Sequence, residues 1–215
     1  MVRTIVTSLF QTNTYIYKIA SGRFVVIDPG SEAKKLFSIL QKENGILEAI
    51  ICTHGHLDHI GGVGELKRLA MENQNEVVQI AASTLDGSYY GEAALEFHKE
   101  IFRPFGLGES LFDVEPIPSI NIDLNSIENY LGFKVIKTAG HTPGSISLYD
   151  EKNGILFSGD TLFAFGEGRT DLQGGDFHAL QKSILTLLEL PPNTVLYPGH
   201  GEPSTIQRVC KNYNL

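Results

Sequence analysis

The segment Thr53-His54-Gly55-His56-Leu57-Asp58-His59 sets three imidazoles and one carboxylate within six residues, directly after an apolar run. Neutral imidazole nitrogen and carboxylate oxygen are the ligands that suit Zn²⁺ and similar divalent ions, and crowding them together without a cation is unfavourable. Read as a loop, the segment can turn alternate side chains to opposite sides. It then serves two adjacent metals, His54 and His56 for one, Asp58 and His59 for the other. Gly55, Gly61 and Gly62 let the backbone curl closely around them.

Four ligands do not fill two sites, and the rest of the chain supplies three more. Gly140-His141-Thr142-Pro143-Gly144, Ser158-Gly159-Asp160-Thr161 and Tyr197-Pro198-Gly199-His200-Gly201 each put one ligand-type residue in a tight turn after an expected strand. The chain has 7 histidines, and five of them fall in these segments, so chance loop capping is a poor account of the set. Two divalent ions about 3.5–4 Å apart lower the pKa of a shared water from 15.7 toward about 7 and polarise the carbonyl it attacks. The ions also stabilise the resulting oxyanion, so hydrolysis needs no Ser or Cys nucleophile. Asp58 is suited to orient that hydroxide. A non-catalytic metal-binding module would need a ligand to be missing, and none is.

These residues must be carried on strand ends. Tyr15 to Ile19 and Phe24 to Ile27 read as a hairpin around Ser21-Gly22. Ser31 is suited to cap a helix running to about Asn44, which Gly45 ends, and Leu47 to Cys52 reads as a buried strand. A helix follows from about Val63 to Asn73. Residues 84–129 are the least regular part, with a helix from about Glu92 to Phe102 and a loop-like run carrying Pro104, Pro116 and Pro118. Strands at Phe133 to Thr138, Ser145 to Tyr149 and Ile155 to Ser158 come next. A helix from Phe177 to Leu188, a strand at Val195 to Tyr197 and a short C-terminal helix complete an α/β chain. There is an internal echo: strand ending in Asp28, helix, strand ending near His54, and strand ending in Asp160, helix, strand ending near His200. Both halves deliver polar side chains at the C-terminal ends of strands, where α/β sheets place their sites.

With 215 residues, 42% hydrophobic and 20% charged, the chain reads as one globular domain over residues 1–215. The N-terminal run MVRTIVTSLFQTNTYIY alternates like a strand and lacks the continuous apolar core of a secretory signal. No apolar run approaches the roughly 20 residues of a membrane helix. The net charge of -8 argues against nucleic acid as partner. Cys52 and Cys210 are far apart, and Cys52 lies in an apolar run, so a buried thiol and a reducing cytoplasm are expected.

The series H-x-H-x-D-H, a single His before T-P-G-S, G-D-T and P-G-H resembles the metallo-β-lactamase superfamily, and the resemblance starts at Thr12-Asn13-Thr14-Tyr15 and Ile27-Asp28-Pro29-Gly30. It implies a four-layer αββα sandwich with metals at one edge of the two sheets. It also implies that His54, His56 and His141 bind one metal, that Asp58, His59 and His200 bind the second, and that Asp160 bridges them. Asp28 resembles the family's structural aspartate behind the ligand loop. The implied cofactors are two divalent ions, zinc foremost, with iron or manganese as alternatives.

The run from Gly159 to Asp171 is similar to the glyoxalase II branch and its shorter bacterial relatives. That implies a small-molecule thioester or ester substrate, a glutathione thioester foremost, with a basic residue at Arg169 holding the carrier. The fork of Arg169 suits a carboxylate, and equally suits pairing with Asp171 to brace the loop. The chain ends soon after Pro203-Ser204-Thr205-Ile206, where full-length glyoxalase II carries a helical domain with further glutathione contacts. A mononuclear iron persulfide dioxygenase of the same fold is the alternative, since Gly168-Arg169-Thr170-Asp171 resembles that branch too, while Tyr197-Pro198-Gly199-His200-Gly201 matches the hydrolase form better. Lactam hydrolysis is a further side activity open to the fold. His98 is read as a surface histidine in a helix, with approach to the cleft as the alternative, and His178 as a structural residue at a helix start. Tyr89, Tyr90, Phe102 and Phe105 are read as core aromatics that could instead line a substrate pocket.

Overall fold

A strand whose successive residues all enter apolar surroundings must lie in a sheet covered on both faces. The strands β3 (Arg23–Ile27) and β4 (Ile46–Ile51) are of this kind. Phe24, Val26, Leu47 and Ile50 join one cluster with Leu36 and Leu40 of helix α1 (Ala33–Lys42) and Leu66 and Ala70 of helix α3 (Val63–Asn73). Val25, Ile27, Ala49 and Ile51 join a second cluster with Phe133, Val135, Ile146, Leu148 and Phe157 from the other half of the chain. A third cluster sets Leu156 and Leu196 against Leu180, Ile184 and Leu187 of helix α5 (Phe177–Leu188) and Val209 of helix α6 (Ile206–Asn212). Three apolar layers between helix, sheet, sheet and helix are the αββα sandwich. Its middle layer centres on Phe157, whose ring meets Tyr15 at 5.0 Å, Tyr197 at 5.5 Å and Phe133 at 6.0 Å.

The computed structural model describes residues 2–7, 10–106 and 108–213. Met1, Ser8 and Leu9 of the alternating N-terminal run lie outside the described residues. The first sheet runs β1 (Val2–Val6), β2 (Asn13–Ala20), β3, β4, β5 (Gln79–Ala82) and β6 (Ile122–Asp123). The second runs β12 (Ser204–Thr205), β11 (Val195–Pro198), β10 (Ile155–Gly159), β9 (Ile146–Asp150), β8 (Phe133–Lys137) and β7 (Asn129–Tyr130). The internal echo is real in topology: β3 and β4 pair in parallel across α1, and β10 and β11 pair in parallel across α5. Among the described residues no helix is long and apolar enough to cross a membrane.

Two local expectations are corrected. Ser31 does not cap α1: Glu32, left-handed at φ 64, precedes the helix, and the buried Ser31 hydroxyl has no hydrogen-bond partner among the described residues. This turn is shaped by its approach to the ligand segment, because a Cβ on residue 30 would fall 1.6 Å from the Asp58 carbonyl oxygen. The His-rich segment is also not all loop. Leu57–Ile60 forms one helical turn, α2, so Asp58 and His59 diverge by helical rotation rather than by extended-chain alternation.

Candidate metal centre

Four strand ends meet at one edge of the sandwich. β3 delivers Asp28, β4 leads into Thr53 and His54, β10 into Asp160, and β11 into His200. The turn between β8 and β9 carries His141. The two sheets are stitched together here: Thr12 forms a bridge with His200, and the Asn13 amide donates to the Gly199 carbonyl at 2.7 Å. The Asn13 side chain donates to the carbonyls of Pro198 (3.0 Å) and Gly201 (2.8 Å), clasping the turn that holds His200. Only glycine fits at 199, where a Cβ would meet the Asp160 carboxylate at 2.0 Å.

All seven expected ligand-type residues converge. The ligand atoms of His54, His56 and His141 lie within 4.8 Å of one another, as do those of Asp58, His59 and His200. Asp160 stands between the groups, its oxygens 3.4 Å from His59 Nε2, 3.3 Å from His200 Nε2 and 3.6 Å from His141 Nε2. Asp28, His54 and His59 also approach one another within 4.8 Å, but both Asp28 oxygens are already engaged. Oδ1 accepts from the Thr53 amide at 2.7 Å, and Oδ2 accepts from the Thr53 hydroxyl at 2.6 Å and from His59 Nδ1 at 3.0 Å. Asp28 therefore supports the ligand segment from behind, as expected.

The outer hydrogen bonds settle which ring nitrogens face inward. A ring nitrogen opposite an oxygen acceptor carries the proton, which leaves a lone pair on the other. His141 Nδ1 donates to the Arg169 carbonyl at 2.7 Å, His200 Nδ1 to the Phe10 carbonyl at 3.1 Å, and His59 Nδ1 to Asp28. Three Nε2 atoms thus face Asp160 and would offer a shared cation their lone pairs once that cation displaces their protons. His141 Nε2 lies 2.9 Å from His56 Nδ1, and His59 Nε2 lies 3.3 Å from His200 Nε2. His54 Nε2 and Asp160 Oδ1 are buried with no hydrogen-bond partner among the described residues. Converging ring nitrogens and orphaned buried acceptors are what a cation satisfies, so the residues present fit a metal centre.

Electrostatics divides the cluster. Burial, reinforced by neighbouring histidines, holds His54 well below its ordinary value and His56 down to about 3. On the other side burial is overcome: Asp58 and Asp160 raise His59 to about 9, and the same carboxylates raise His200 to about 10. Burial likewise opposes ionisation of Asp58 and Asp160, but His59 and its neighbours hold both below the usual carboxylate range. The carboxylates draw positive charge to this point, and a divalent ion taking those atoms displaces the protons from the rings.

Several supporting residues were not legible as such in the sequence. The Thr12 hydroxyl donates to Asp58 Oδ2 at 2.8 Å. Asp86 accepts from the Gly55 amide (2.9 Å), the Thr142 hydroxyl (2.7 Å) and the Gly144 amide (2.7 Å), tying the ligand segment to the His141 turn. Its signal was faint, an Asp before Gly87 in the irregular middle of the chain. Burial raises the Asp86 carboxyl against these bonds.

The cluster opens into a cavity of about 300 Å³, floored by His56, Asp58, His141, Asp160 and His200 and walled by Phe10, Phe102, Phe105, Leu172 and Arg169. Phe102 and Phe105 therefore line the cavity, whereas Tyr89 and Tyr90 are core. Arg169 makes the bracing pair, Nε and Nη2 each 2.6 Å from an Asp171 oxygen, while its guanidinium lies 5.0 Å over the Phe105 ring. His98 is fully buried on helix α4 (Ala94–Phe102), not at the surface. Burial lowers it to about 4. His178 is exposed in the first turn of α5, and Cys52 is buried as expected.

Comparison with known proteins matches residues 7–200 to the model of the metallo-beta-lactamase superfamily. The hydroxyacylglutathione hydrolase GloC of Haemophilus influenzae is 30% identical over 95% of this chain and 92% of its own. Among solved structures, the BLEG-1 B3 metallo-beta-lactamase is 32% identical with a TM-score of 0.83, covering 98% of this chain and 97% of its own. TTHA1623, solved in a di-iron-bound form, is 33% identical with a TM-score of 0.81, covering 98% of both chains.

Proposed function

Because the chain belongs to the metallo-β-lactamase superfamily, we propose that it is a metal-dependent hydrolase of small thioesters or esters. His54, His56 and His141 would hold one divalent ion and Asp58, His59 and His200 a second, with Asp160 placed to serve both. The carrying observation is the convergence of three outward-anchored histidines, with Nε2 atoms turned inward, on the Asp160 carboxylate. When bound, the ions supply a water of lowered pKa and polarise the acyl carbonyl. Asp58, pinned by the Thr12 hydroxyl, orients the attacking water. Water adds to the carbonyl carbon, the carbon–sulfur or carbon–oxygen bond breaks, and the proton leaves with the thiol or alcohol. Likeness to the Haemophilus influenzae enzyme supports glutathione as carrier. Zinc is the favoured metal, with iron supported by the di-iron relative.

Elemental analysis paired with an S-D-lactoylglutathione assay on the same preparation tests this. The expected result is about two divalent ions per chain together with hydrolysis. A single iron, no hydrolysis and oxygen uptake with a persulfide would replace the reading by the mononuclear dioxygenase.

Arg169 is proposed to hold a carrier carboxylate, which must displace Asp171. Since the pair is more than half exposed, the exchange is worth little. Arg169→Ala should raise KM for S-D-lactoylglutathione by about threefold to tenfold, the size of one net hydrogen bond. It should change kcat much less, because the contact is present in ground and transition states alike. Asp171→Asn should lower KM, and p-nitrophenyl acetate should be insensitive to both. Equal losses on both substrates with a lower Tm would leave Arg169 as a loop brace alone.

A further inference from the structure

The cavity has a polar floor and a wall that is almost wholly apolar. Phe10 is 50% and Phe105 45% exposed, and both stand at its mouth. Phe102 and Leu172 close the wall, and Arg169, engaged with Asp171, adds a cation to it. These apolar faces border the charged cluster within one concave cavity, the kind of site that receives a small ligand.

The wall is also held in register with the cluster. Phe10 is kept at φ 50, with Gln11 at φ 56, a left-handed pair that a bulky residue adopts only when its surroundings impose it. The turn is closed by the Thr7 amide on the Thr12 carbonyl, and within it the Phe10 carbonyl accepts from His200 Nδ1. The Phe102 ring lies 6.1 Å from the His56 ring. Arg169, whose guanidinium covers Phe105, anchors His141 through its carbonyl. The backbones of two wall residues thus carry two cluster histidines, fixing the distance between an apolar group in the mouth and a carbonyl at the floor.

We propose that Phe10, Phe102, Phe105 and Leu172 form an acyl pocket that selects substrates with an aromatic or similarly sized apolar acyl group. This rests on the hydrolase reading above and names the substrate class for that site. About 300 Å³ is at the small end of ligand pockets, room for a ring and its carbonyl but not for a peptide carrier as well. The carrier therefore leaves the cavity past Arg169, and the acyl group sits between the Phe10 and Phe105 rings. A lactoyl group would leave both rings wet.

The test uses D-mandelate and D-lactate, which differ in phenyl against methyl, titrated calorimetrically into the metal-loaded protein. The corresponding glutathione thioesters serve as a kinetic arm. Mandelate should bind about tenfold tighter than lactate or more, as expected when a ring enters an aromatic-walled site. Phe10→Ala and Phe105→Ala should each lower the mandelate-to-lactate affinity ratio about threefold to tenfold, the loss of one aromatic contact. The same ratio should fall in kcat/KM. A wild-type ratio near one, or a ratio untouched by either substitution, overturns the pocket even if both thioesters are hydrolysed. Preferential mandelate binding without hydrolysis of either thioester supports the pocket and sinks the hydrolase reading instead.

Discussion

Asp160→Asn should leave the protein with well under one tightly bound metal per chain and cut hydrolysis on the order of a thousandfold, the several kcal/mol that the metal chemistry supplies. Asp160 lies within 3.3–3.6 Å of a ring nitrogen from each of His141, His59 and His200. It is thus the group whose negative charge faces both triads, and it offsets the repulsion between two cations held close together. Asparagine keeps the shape that the Gly199 backbone fits around, so the fold should survive while the charge is lost. Replacing His54 by Ala removes one ligand from one triad and should cost less. Elemental analysis and kinetics on the two variants side by side decide it. Asp160→Asn protein that retains two metals and full activity would sink the shared-carboxylate assignment.

The cluster was legible because metal chemistry writes itself locally. His54 to His59 is one continuous segment, and His141, Asp160 and His200 each sit in a glycine-bounded turn after a strand. The long periodic elements were equally readable, α3 and α5 ending where the pattern ends. What escaped was set by tertiary meeting. Strands β6, β7 and β12 are two residues long and exist only because a neighbour pairs with them. Asp86 acquires its role because residues 55, 142 and 144 arrive around it from two distant turns. His98 was within reach of sequence reasoning: Ala94, His98, Ile101 and Phe102 fall on one helical face, and that face is buried. Reading histidine as polar hid a position that the period had already turned inward.

Asp28→Asn should weaken metal binding at Asp58, His59 and His200 more than at His54, His56 and His141, although both Asp28 oxygens are engaged by Thr53 and His59. The carboxylate accepts three hydrogen bonds, from the Thr53 amide, the Thr53 hydroxyl and His59 Nδ1. Asparagine has one oxygen and one NH₂, so the donors at whichever position the NH₂ takes must now face it: the Thr53 amide at Oδ1, or the Thr53 hydroxyl and His59 together at Oδ2. The Thr53 amide cannot reverse its role. The Thr53 hydroxyl can turn to accept, and His59 can move its proton from Nδ1 to Nε2. The oxygen therefore stays with the amide, the NH₂ faces His59, and the ring presents N–H rather than a lone pair to the cluster. Loss of such an outer partner typically weakens a metal site 10–100-fold. His141 keeps its own anchor on the Arg169 carbonyl, so about one metal should remain per chain at limiting metal, with activity returning in part as metal is raised. Nitrogen-15 NMR of the His59 ring distinguishes this from simple loosening of the fold, because only the tautomer mechanism moves the proton between ring nitrogens. Two tightly bound metals in Asp28→Asn, with the His59 proton still on Nδ1, would show that Asp28 does not govern the second site through His59.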